Sequence, residues 1–191
     1  MRTRRSVSKQ LRRSSAALEL QRAHGWAPFT HGQMHYSLLI RDIESDLLQV
    51  HERYGLGLTV WSPLVSGFLS GKYTHENMAD KDNRMSGFDI MPFDKEAGFR
   101  LVDRLRNIAG RHKASVAQVA IAWLLAKKAV SSVIVGASKP HQLDDNLAAA
   151  NLVLGVDEVT ALNEMTKPAP VYPNWFSELV LDPQVKAALV K

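Results

Sequence analysis

The 191-residue sequence contains no cysteine, which excludes a disulfide scaffold and any thiolate metal site and fits a reducing compartment such as the cytoplasm. It has no run of 18 or more apolar residues, so no segment reads as a transmembrane helix. Aromatic residues make up only 7% of the chain. H-E-x-x-H, G-x-S-x-G and G-x-x-x-x-G-K-[ST] are all missing, which leaves no zincin, hydrolase-elbow or Walker reading. The seven histidines, His31 and His35 among them, have no carboxylate motif beside them, so no metal site is expected.

A spread of basic charge is missing too. The formal net charge is +5, but six bases (Arg2, Arg4, Arg5, Lys9, Arg12 and Arg13) lie in the first 13 residues, which hold no acid. Setting these aside leaves 18 of the 24 bases against 19 acids. A nucleic-acid-binding domain displays its bases over a folded face, so no nucleic-acid partner and no membrane partner is expected. The Arg- and Ser-rich start superficially suits an organelle transit peptide; a solvated terminus is the plainer reading.

What is present is an alternation of helices and short apolar strands. Residues 6–24 turn helical and end at His24-Gly25. Residues 28–36 read as a strand, 42–54 as a helix capped by Asp42 and stopped by Gly55, and 57–62 as a second strand. A loop from Pro63 to about Phe93 is long enough to suggest function. Helices follow at 94–112 (cap Asp94) and 115–128 (cap Ser115), then a strand at 131–136. A helix at 140–149 opens on Pro140, and Asp157 is the expected cap of the last. The tail 168–191 is Pro-rich and aromatic, then weakly helical. This order predicts βαβ units and a parallel sheet of about three strands, part of a larger α/β fold with open edges.

In such folds ligands collect at the carboxyl ends of strands. After 131–136 comes Gly136-Ala137-Ser138-Lys139 and a helix start, a setting that suits a phosphate. On that helix Gln142, Asp145 and Asn146 share one face and offer hydrogen bonds to a purine or ribose. The competing reading is an ordinary strand-to-helix turn with a polar face in solvent. Trp61, at the end of the second strand, would stack on a flat ring or simply pack in the core. Lys72 and Arg84 are phosphate clamps or plain surface charges.

The segments GLGLTVWSPLVSGFLSGKY (55–73) and VIVGASKPHQLDDNL (133–147) resemble the hallmark and cofactor segments of the aldo-keto reductases, and QMHYSLLIRDIE (33–44), the preceding HGW and YPNWF (172–176) agree. The resemblance runs from about residue 22 to 180 and looks closest to the branch that includes potassium-channel β subunits. It implies part of a TIM (β/α)8 barrel, about the last three to four βα units, with domain limits near 16–180 between a basic segment 1–15 and a tail 181–191. It implies an oxidoreductase using NADP(H) to reduce a small-molecule aldehyde or ketone by hydride transfer.

By the same resemblance Gln33 meets the nicotinamide carboxamide and Trp61 its ring. Ser62, Pro63, Leu64 and Ser66 line the pyrophosphate, and Lys72 and Arg84 meet phosphates. Gly136 belongs to the cofactor segment, Ser138 contacts the 2′-phosphate, and Gln142, Asp145 and Asn146 hold the adenosine end; relatives often have Glu where Asp145 stands.

The family's Asp, Tyr, Lys and His tetrad belongs to the N-terminal half of its barrel, and no residue here matches it. At the start, where relatives have an apolar strand ending Ser-Asn, this chain has RRSVSKQLRRSS, with Ser8 as the remnant of that Ser and Lys9 in place of the Asn. Residues 1–15 are too polar for a buried barrel strand. A complete barrel takes ~250 residues, so the expectation is a truncated reductase with little or no carbonyl reductase activity. The alternative is a non-catalytic half-barrel that binds nucleotide or forms a homo-oligomer through its open edges.

Overall fold

Leu58 and Val60 in the segment GLTVW are both fully buried, and the sheet is built around them. A computed structural model describes residues 4–78, 92–171 and 175–176, with side chains from Arg12 onward. Strand β2 (Gly57–Trp61) lies between β1 (His31–His35) and β3 (Val130–Val133), and both pairings are parallel. Parallel neighbours need crossover connections. Helix α2 (Leu47–Tyr54) makes the first; α3 (Lys95–His112) and α4 (Val116–Leu125) make the second. Helices α5 (Pro140–Ala148) and α6 (Val156–Met165) follow β3, and α1 (Arg4–His24) precedes β1.

The sheet is α/β as expected, and among the described residues it is open: β1 and β3 are its edges. Leu58 and Val60 face a core with Trp123, Leu105, Ile108, Leu124 and Leu162. The opposite face is polar, with Gln33, Thr59 and Ser132 side by side in register. Among the described residues no helix is long and apolar enough to cross a membrane.

Several helix ends follow the sequence. Asp94 caps α3 by accepting the Ala97 N–H at 3.0 Å. Ser115 caps α4 through the Gln118 N–H, and Gln118 reciprocates. Gly25 and Gly55 end α1 and α2 with φ of 66° and 67°.

Two ends differ. The helix expected over 42–54 is broken at Asp46, because Ser45 Oγ donates to the Asp42 carbonyl at 2.8 Å and Arg41 pairs with Glu44, holding 42–45 as a separate 3-10 turn. Asp42 therefore caps no helix. Asp157 does not cap α6 either. Gly155 occupies that position and donates its N–H to Glu158 Oε2 at 3.0 Å, while Arg111 and His112 hold the same carboxylate.

A buried polar network fastens the loop after β1 to the helices. Arg41 reaches Glu44 with two hydrogen bonds of 2.8 Å, the Asn163 carbonyl at 2.7 Å and Thr166 Oγ1 at 2.8 Å. Tyr36 donates to Glu44 from the other side. Trp123 Nε1 and Lys127 Nζ donate to Asn163 Oδ1 at 3.0 and 2.6 Å. Burial and Glu44 push the Tyr36 phenol up. Burial, then Arg41, pushes Lys127 down. Burial acts to raise Glu44, but the donors around it prevail and hold it below the ordinary carboxylate value.

Candidate functional site: a cleft between two strand exits

The chain leaves β2 through a tightly wound loop. Ser62, Val65 and Ser66 take φ of 52°, 49° and 54°, and Gly67 takes 90°. Left-handed backbone is unfavourable for residues other than glycine, by roughly 1–2 kcal/mol each. Here the burial of Val65, Phe68 and Leu69 holds it in place. Backbone bonds from Val65 to Ser62, Gly67 to Leu64 and Leu69 to Leu64 close the turns. Among the described residues the N–H groups of Leu64 and Ser66 have no hydrogen-bond partner. Lys72 folds back over the loop, with Nζ 4.8 Å from the centre of the Tyr73 ring and its methylenes against Gly67.

The exit of β3 faces this loop. Ser138 donates its N–H and hydroxyl to Gln142 Oε1 at 3.3 and 3.2 Å, just ahead of the α5 N-terminus. Asn146 is buried. Between the two exits lies a cleft of about 1080 Å3.

Trp61, Ser62, Pro63, Leu64, Ser66, Lys72, Gly136, Ser138, Gln142, Asp145 and Asn146 all line it. Gln33 stands apart, exposed on β1 and outside the lining. Arg84 lies outside the described residues. Hydroxyls, unpaired amides, one lysine and a helix start make the cleft receptive to anions, and an indole joins its wall.

Three features escaped the sequence. Asp145 lines the cleft, but both its oxygens are taken, one by Ser115 Oγ at 2.7 Å and the other by Gln118 Nε2 at 2.8 Å. His35 stacks on Trp61, with ring centres 4.6 Å apart and planes 26° from parallel. His141, from the first turn of α5, joins the lining. The signal for the first lay in the capping motif at Ser115; a side-chain stack between neighbouring strands has none until register is known.

The model of the aldo/keto reductase family matches residues 10–167, most of the chain. The chain belongs to this family. An aldo-keto reductase of Fusarium vanettenii is 30% identical over 157 residues, which is 82% of this chain and 42% of the relative. A probable voltage-gated potassium channel subunit beta of Oryza sativa subsp. japonica is 39% identical over 125 residues, 63% of this chain and 38% of the relative. A putative aryl-alcohol dehydrogenase of Schizosaccharomyces pombe is 33% identical over 160 residues, 81% and 44%. The chain thus spans less than half the length of each of these aldo/keto reductase relatives.

Proposed function

We propose that the cleft binds the dinucleotide NADP(H), and that the protein serves the reduction of aldehydes or ketones as an oxidoreductase of its family. The observation behind this reading is the convergence of both strand exits on one cleft whose donors suit a phosphorylated dinucleotide. Lys72 with the free Leu64 and Ser66 amides suits the pyrophosphate, and Ser138 with the α5 start suits a further phosphate on the ribose. Trp61, at the exit of β2, offers a ring surface for the nicotinamide, and Gln142 and Asn146 supply amides for the adenosine. When bound, the cofactor would supply a hydride. The residues of the cleft bind and orient it, and none of them is assigned the proton transfer to the carbonyl oxygen. In this proposal the open sheet is part of a (β/α)8 barrel.

A second reading, a nucleotide-binding or oligomerising module without turnover, draws on the open edges β1 and β3 and on relatives named as channel subunits. NADPH titration followed by cofactor fluorescence tests the binding shared by both. Native protein is expected to bind, with Lys72→Ala and Ser138→Ala each weakening affinity about ten- to a hundredfold, as charged hydrogen bonds contribute roughly 1.5–3 kcal/mol. Unchanged affinity in both variants removes the site. Little or no turnover of an aldehyde is expected, since no residue here matches the family's tetrad; turnover at an ordinary rate overturns that expectation, and binding without turnover supports the second reading.

A further inference from the structure

We infer that His35 is a positioning residue that fixes the plane of the Trp61 indole, and so sets the surface on which the nicotinamide end of the cofactor rests. The inference rests on the cofactor reading above. His35 and Trp61 are register partners at the carboxyl ends of β1 and β2. Side chains of register partners leave the sheet on the same side. Their rings stack at 4.6 Å. Trp61 lines the cleft and His35 stands outside the lining, in contact with the indole from the neighbouring strand.

Trp61 leads directly into Ser62, the first residue of the loop held at positive φ. Among the described residues the His35 Nε2 is buried with no hydrogen-bond partner. Burial lowers the pKa of the ring, which favours its neutral form and spares the stack a buried charge.

The test compares ligands that reach different ends of the cleft. Calorimetric titration of native protein, His35→Ala and His35→Phe uses NADP+ and adenosine 2′,5′-bisphosphate, which lacks the nicotinamide. His35→Ala is expected to bind NADP+ about five- to tenfold more weakly, in the range of an aromatic pair, and to bind the bisphosphate like native protein. His35→Phe, which keeps a ring, is expected to recover NADP+ affinity to within about twofold. Native NADP+ affinity in His35→Ala, equal weakening of both ligands, or no recovery in His35→Phe overturns the positioning role and leaves the cofactor reading standing. Failure of native protein to bind either ligand overturns the cofactor reading and this inference with it.

Discussion

Asp145 accepts the Ser115 hydroxyl at 2.7 Å, so a residue of the cleft wall also secures the start of α4. The Ser115 oxygen accepts the Gln118 N–H, and Gln118 returns a second bond to Asp145. Asp145→Ala is expected to destabilise the protein by about 1.5–3 kcal/mol, the range for hydrogen bonds to a charged group. Ser115→Ala is expected to cost about 1 kcal/mol. The double variant should lose less than the sum, because the two share one network. Urea denaturation of the four proteins measures this; strict additivity would show that the residues act independently.

Gly67 has φ of 90°, and a Cβ built there would stand 3.0 Å from Lys72 Cε. Gly67→Ala is expected to lose about 1–2 kcal/mol from backbone conformation alone. It should also push Lys72 off the loop, so NADPH affinity should fall together with the denaturation midpoint. Lost stability with native affinity would detach Lys72 from the cofactor.

Arg41 is the hub of the buried network, and removing it leaves Glu44 without its cation. Arg41→Ala is expected to cost about 3–5 kcal/mol, as for one partner of a buried ion pair. Tyr36→Phe, which removes a single donor, should cost about 1–3 kcal/mol. Thermal or urea unfolding gives the ranking, and the reverse order would mean that Tyr36 carries the junction.

His51 is buried against Gly32, its Nδ1 has no hydrogen-bond partner among the described residues, and burial lowers its pKa. Unfolding returns it to about 6.5. The unfolded chain then takes up a proton that the folded protein resists. This contribution is complete above about pH 6.5 and is lost as the pH falls below it. The urea midpoint is therefore expected to drop between pH 7 and pH 5, with a shallower slope in His51→Gln. Parallel slopes would assign the acid sensitivity to other groups.

The caps at Asp94 and Ser115 were legible in the sequence because each depends on neighbours within four residues, and the parallel pairing because short strands alternate with helices. The ends at Asp46 and Gly155 were not. Each also draws on partners distant in sequence: Arg41, which pairs with Glu44, is held by the Asn163 carbonyl of α6, and Glu158 is held by Arg111 and His112 from α3. The cleft was legible as two separate motifs, and only the β2–β3 pairing brings Trp61 and Ser138 to one cavity. Gln33, placed at the nicotinamide by family resemblance alone, pairs with Thr59 on the sheet face that also carries Trp61, and it stands outside the cleft lining.

The loop of Ser62, Val65 and Ser66 holds its costly backbone geometry through hydrogen bonds and burial within the chain itself. That cost falls on folding rather than on ligand capture. An anion bound as proposed would find the Leu64 and Ser66 amides already arranged, so little chain entropy would be lost at encounter. Ligand entry should then be a single fast phase whose rate rises linearly with ligand concentration, and discrimination among anions should reside in how slowly each one leaves.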